Sequence, residues 1–189
     1  MEYQIFDQMV LCNDIEVQRM LPLVSFQRRE QALRFKHTFG QFACLKSYLL
    51  LQELLGFSLA ESTFFTSPHG KPYLADHPDI HFNISHCREA IAVAVDSNPI
   101  GIDVERFITP SSSLLNYCMN EEEEAQVLQS EHPDQTFAAL WTQKEALVKF
   151  YGTGITNNLK SLLSLYDRTS ISLRTTLHPS YALTIACKI

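Results

Sequence analysis

Apolar and acidic side chains alternate at a spacing of two through Ile100-Gly101-Ile102-Asp103-Val104-Glu105. On a strand, Ile100, Ile102 and Val104 turn to one face while Asp103 and Glu105 turn to the other. A fold that buries the first face must therefore carry two neighbouring carboxylates on the second. Further along, Trp141, Glu145 and Lys149 recur every four residues, which on a helix stacks an aromatic, an acid and a base along one stripe. Magnesium with its phosphate fits between such a strand and such a helix. Each segment also has a plainer reading. Asp103 and Glu105 suit a solvated strand face, Glu145 and Lys149 an exposed i,i+4 ion pair, and Trp141 a core position.

The whole chain narrows the choice. Its 189 residues suffice for one domain or two closely packed halves. A net charge of -6 with only 15 Lys and Arg argues against a nucleic-acid binder, so any phosphate site is local. Residues 1–12 carry Glu2 and Asp7 and lack the basic start of a signal peptide, and no run reaches membrane-spanning length. Cys12, Cys44, Cys87, Cys118 and Cys187 form no CxxC pair, which indicates reduced thiols and a cytoplasmic protein.

Apolar residues at spacings of three and four predict one long helix, or two joined helices, over 26–55, with a basic start (Arg28, Arg29, Arg34, Lys36) and Gly56 as its stop. Short β-rich runs follow at 64–65, 80–84, 90–95 and 100–104, and should pair as a mostly antiparallel sheet. Asn120 and Glu123 have capping-box spacing, so the acid run 121–123 reads as a favourable first turn. A further helix over 134–151 stops at Gly152, and 161–166, 170–174 and 181–188 alternate like strands. The fold class is thus α+β, with Thr109-Pro110-Ser111-Ser112-Ser113 the best candidate boundary and no repeat visible by identity.

His81-Phe82-Asn83-Ile84-Ser85-His86 ends an apolar strand in hydrogen-bonding groups, and Gly70-Lys71-Pro72 precedes it in a turn. Ser85 and His86 are neighbours on an extended chain and point apart, without a GxSxG elbow, so a serine-hydrolase reading is disfavoured. Binding of phosphate or adenine suits these groups better.

The ordered set of Arg28-Arg29-Glu30 with Arg34-Phe35, Gly70-Lys71-Pro72, Phe82-Asn83-Ile84-Ser85-His86, Gly101-Ile102-Asp103-Val104-Glu105, Trp141 with Lys144-Glu145-Ala146 and Lys149, and Gly152-Thr153-Gly154 resembles the Sfp-type 4'-phosphopantetheinyl transferases. The resemblance implies the 4'-phosphopantetheinyl transferase fold, two similar α+β halves related by a pseudo-twofold axis. Here these would be residues 1–106, with the helix and the coenzyme A-contacting strands, and 107–189, with the metal and pyrophosphate helix. It implies a magnesium-dependent enzyme that moves phosphopantetheine from coenzyme A to a serine of an apo acyl or peptidyl carrier protein.

Carried onto matching positions, the resemblance makes Asp103, Glu105 and Glu145 the magnesium ligands and Glu145 and Lys149 the catalytic pair. It makes Arg28, Lys71, Pro72, Asn83, Ser85 and His86, together with Lys149, the coenzyme A-binding set. It further implies a cytoplasmic monomer without nucleic-acid or membrane partners. Gln31 and the neutral Gln41-Phe42-Ala43-Cys44 stand where the family often carries further basic residues. Other readings of the same residues are a coenzyme A or nucleotide-binding module without transfer activity, and a metal-dependent phosphohydrolase. Phe107, Leu114, Leu115, Tyr117 and Met119 are candidates for an apolar carrier-docking patch.

Overall fold

The computed structural model describes residues 1–154 and 159–189. The chain opens with strand β1 (Glu2–Phe6) and helix α1 (Asp14–Met20), whose N-cap Asn13 accepts from the Glu16 amide at 3.0 Å. The apolar periodicity over 26–55 resolves into two helices, α2 (Phe26–Leu33) and α3 (Thr38–Leu55), and Gly56 ends the second in the left-handed conformation at φ 70°. Strands β2 (Phe64–Thr66), β3 (Pro72–Leu74), β4 (His81–His86), β5 (Ile91–Asp96) and β6 (Ile100–Arg106) follow. Helices α4 (Ser112–Cys118), α5 (Glu121–Gln129) and α6 (Pro133–Tyr151) come next. The described chain closes with the short helix α7 (Leu162–Leu165) and strands β7 (Ile171–Leu177) and β8 (Tyr181–Lys188).

The strand pairing shows a repeat that sequence identity does not. One sheet has the order β1-β5-β4 and another β6-β8-β7, both wholly antiparallel. Each is laid out as strand, long helix, then a hairpin whose last strand pairs with the first. Helix α3 serves the first sheet and α6 the second. Strands β2 and β3 pair separately.

The runs at 64–65, 80–84, 90–95 and 100–104 therefore do not share one sheet. β6, grouped with the first half by a division at residue 106, forms its ladder with β8, opposing Asp103 to Thr184 and Glu105 to Ala182. Its apolar face (Ile100, Ile102, Val104) packs with Ala90, Ala92 and Ala94, whose small side chains let the two halves approach closely.

Two further expectations change. Residues 161–166 are helical in large part because Leu159 and Leu163, four apart, both turn into the core, a helical spacing that outweighs the apparent alternation. The suggested docking patch is mostly interior. Leu115, Cys118 and Met119 lie on the inner face of α4 and its end, Leu114 packs against the same core, and Tyr117 is the exposed member. Among the described residues, no helix is long and apolar enough to cross a membrane.

Candidate active site

The strand alternation works as its spacing demands. With Ile102 and Val104 buried on the seam, Asp103 and Glu105 face α6, which presents Trp141, Glu145 and Lys149 in return. Together with Ile84, Ser85 and His86 at the end of β4, these side chains line a cleft of about 410 Å³. A second cleft of about 240 Å³ is lined by His69, Gly70, Lys71, Pro72, Asn83, Gly152 and Gly154, and shares Ile84 and Lys149 with the first. Lys149 thus stands where the two meet.

Ser85 is the hub of the first cleft. Its hydroxyl donates to Asp103 Oδ1 at 2.7 Å and accepts from Lys149 Nζ at 3.0 Å and from the Val104 amide at 3.3 Å. That uses the one donor and two acceptors a serine hydroxyl has. Lys149 Nζ also reaches Asp103 Oδ1 at 2.6 Å, an ion pair in which the acid is buried and the lysine partly exposed.

Burial, then the Asp103 charge, raises the Glu145 carboxyl above the usual carboxylate range, and Lys149 opposes this. Burial likewise raises Glu105, with Asp103 adding to it and the Arg106 amide and Lys149 opposing. Desolvation, then the Lys149 charge, lowers His86. The His86 ring meets Phe39 edge-on at 5.7 Å, and the Arg88 guanidinium lies 4.4 Å above the same Phe39 ring. This basic, aromatic rim carries no sequence signal beyond the closeness of Arg88 to His86.

The donors suit a hard divalent cation in kind: three carboxylates on facing elements, with Glu145 Oε1 buried and lacking a hydrogen-bond partner. Burial first and mutual repulsion second raise Glu105 and Glu145, and a divalent cation bound among them would offset both. Among the described residues, no three such side chains are drawn together at metal-ligand geometry. Lys149 instead satisfies Asp103.

A family model for the 4'-phosphopantetheinyl transferase superfamily matches residues 99–186, which span β6 to β8 and hence Asp103, Glu105, Glu145 and Lys149. A 4'-phosphopantetheinyl transferase of Bacillus subtilis is 36% identical over 153 residues, covering 77% of this chain and 68% of its own length. The 4'-phosphopantetheinyl transferase Sfp of Bacillus subtilis strain 168 is 33% identical over 152 residues, with the same 77% and 68% coverage. The chain belongs to the 4'-phosphopantetheinyl transferase family. A Bacillus pumilus member, psf-1, is 30% identical over 152 residues, 77% of this chain and 65% of its own.

Within this transferase the residues named from sequence separate into groups. Asp103, Glu105, Glu145, Lys149, Ser85 and His86 share the first cleft, while Lys71, Pro72 and Asn83 line the second. Arg28 lines neither. Its guanidinium lies over the rings of Tyr48 and Phe64 at 5.0 and 5.1 Å, with Cys44 Sγ at 3.8 Å from its Nη1. Lys71 is engaged with backbone, its Nζ donating to Ile100 O at 2.8 Å and to Lys149 O at 2.5 Å. Burial holds its amine down at about 8. Lys144, beside Glu145 in sequence, points elsewhere and pairs with Glu123 at 2.8 Å.

Proposed function

We propose that the two adjoining clefts bind coenzyme A with magnesium and carry out the phosphopantetheinyl transfer that defines this enzyme family, onto a serine of an apo acyl or peptidyl carrier protein. The observation that carries this reading is the convergence of Asp103, Glu105, Glu145 and Lys149 with Ser85 and His86 on one cleft between the halves. Residues 1–106 supply the strand end and turn that hold coenzyme A and also β6, which pairs with β8, and 107–189 supply the helix that faces the pyrophosphate.

In the reaction the carrier serine oxygen attacks the β-phosphorus of coenzyme A. The bond from that phosphorus to the bridging oxygen breaks, and adenosine 3',5'-bisphosphate leaves. Asp103, Glu105 and Glu145 would hold magnesium, which when bound would neutralise charge on the phosphoryl oxygens. Lys149 adds a mobile positive charge at the junction of the clefts, where the pyrophosphate would lie, once it exchanges Asp103 for phosphate oxygen. Glu145, which lines the cleft, takes the serine proton, directly or through a water. Lys71, Pro72, Asn83, Ser85 and His86 form the coenzyme A side, Arg28 lying outside both clefts, and the enzyme acts as a cytoplasmic monomer.

Incubating the purified chain with coenzyme A, magnesium and an apo carrier should give a phosphopantetheine adduct on one carrier serine by mass spectrometry. EDTA should abolish it, and Asp103→Ala should slow its formation by about 10²- to 10³-fold, the loss typical of removing one preorganised electrostatic group. An adduct that persists at full rate in EDTA rejects the metal assignment. Release of adenosine 3',5'-bisphosphate without a carrier points to hydrolysis instead.

A further inference from the structure

We propose that Asn83 is a positioning residue for the transfer reaction: its side chain replaces a missing neighbouring strand and fixes the backbone of β6 so that Asp103 meets Ser85 and Lys149. The kinetic part of this proposal rests on the transferase reading above.

One edge of β6 is zipped to β8, and in a strand the backbone groups of alternate residues point to opposite edges. The other edge faces the first half of the molecule, where the hydrogen bonds to it come from side chains. Lys71 Nζ donates to Ile100 O at 2.8 Å, Asn83 Oδ1 accepts from the Ile102 amide at 2.8 Å, and Ser85 Oγ accepts from the Val104 amide at 3.3 Å. The contacts fall at residues 100, 102 and 104, the positions a ladder would use.

Lys71 and Ser85 divide themselves among other partners, namely Lys149 O for the first and Asp103 and Lys149 for the second. Asn83 Oδ1 is engaged with the Ile102 amide alone among the bonds described, and Asn83 is buried. Removing that acceptor strands a buried N–H. Ile102 directly precedes Asp103, so a shift of its peptide is passed to the acid on which Ser85 and Lys149 converge. A residue that lines the coenzyme A side of the groove thus acts through β6.

The test compares Asn83→Leu, which keeps the bulk and removes the acceptor, with Asn83→Asp, which keeps an acceptor oxygen. Three readouts on the full chain are steady-state kinetics at varied magnesium, calorimetric coenzyme A affinity without a carrier, and amide exchange by NMR. Asn83→Leu should lower kcat by about 10- to 100-fold, as expected for misplacement of a reacting group on the order of 1 Å, and should raise the magnesium needed for half-maximal rate. Coenzyme A affinity should fall by a smaller factor than kcat, since Asn83 also lines the second cleft, and Asn83→Asp should restore most of kcat.

The Ile102 amide should be protected in the parent protein and exposed in Asn83→Leu while the amides bonded to β8 stay protected, which separates local loss from unfolding. The proposal is overturned if Asn83→Leu weakens coenzyme A binding tenfold with kcat intact, if Asn83→Asp fails as Asn83→Leu does, or if Ile102 exchange does not change. Should the parent protein make no adduct, the transferase reading fails, while amide exchange and calorimetry still decide the role of Asn83.

Discussion

Replacing Gly101 by alanine should cost this enzyme both stability and activity, although the glycine carries no functional group and contacts no substrate. A Cβ at position 101 would sit 2.0 Å from Ala146 O and 2.6 Å from Phe150 N, both backbone atoms of α6. These are an i, i+4 pair on the helix, so the Gly101 Cα rests directly against a turn of helical backbone. No rotamer change relieves such a contact, and β6 and α6 must move apart by an ångström or more. Gly101, Asp103 and Glu105 share one strand face, so the glycine sets how closely the helix bearing Glu145 and Lys149 approaches the two acids.

Overpacking a close contact costs about 1–3 kcal/mol and sometimes more, and misplacing reacting groups by about 1 Å costs on the order of 10²-fold in rate. Gly101→Ala is therefore expected to lower the unfolding midpoint and to reduce kcat by about 100-fold, as measured by thermal unfolding and adduct formation. Adding Ala146→Gly should rescue neither property, because the obstructing atoms belong to the backbone. Near-parental stability and rate in Gly101→Ala would mean that the close approach of β6 and α6 is dispensable.

The difference between the strand alternation and the role of Gly101 marks what a sequence of this kind discloses. Patterns written within one element were legible: the periodicity over 26–55, the left-handed stops at Gly56 and Gly152, the acids of β6 turned to one face, and the capping box at Asn120 and Glu123. They depend on spacings that local geometry fixes. Relations between elements were not legible. Nothing near Asn83 or Ser85 announces that they complete the edge of a strand some twenty residues away or that Lys71 bonds to backbone carbonyls.

The repeated connectivity of the two halves was expected only through the family resemblance and was not visible in the residues themselves, because hydrophobic matching conserves a path through space without conserving residues. Where the sequence misled, as at 161–166, a short apolar run was compatible with two periods and Leu159 decided between them. At the site, the grouping of acids and lysine came through, while Arg28 turned out to be stacked on aromatic rings.

Lys144→Met should be among the most destabilising single substitutions in the molecule while leaving the chemistry of the cleft in place. Lys144 is fully buried, pairs with Glu123 Oε2 at 2.8 Å, and also donates to Leu159 O at 2.6 Å. Adjacent residues on a helix point about 100° apart, so Lys144 faces α5 and the inner core while Glu145 faces the cleft. Glu123 serves twice, because the same Oε2 accepts the Asn120 amide in the capping box, and Oε1 has no partner. Removing the ammonium leaves a buried carboxylate with one backbone donor, a change that typically costs about 3–5 kcal/mol. For a chain of this length that corresponds to roughly 10 °C or more in unfolding midpoint.

Glu123→Gln alone should also destabilise, since it strands the lysine. The pair Lys144→Met with Glu123→Gln should recover much of the loss, because glutamine can still close the capping box and no unpaired charge remains. Thermal unfolding of the four proteins gives the coupling directly, and additive losses would show that the pair is not the source. Turnover per folded molecule at low temperature should stay within about tenfold of the parent. A larger fall in kcat with little change in stability would instead place Lys144 in the chemistry beside Glu145.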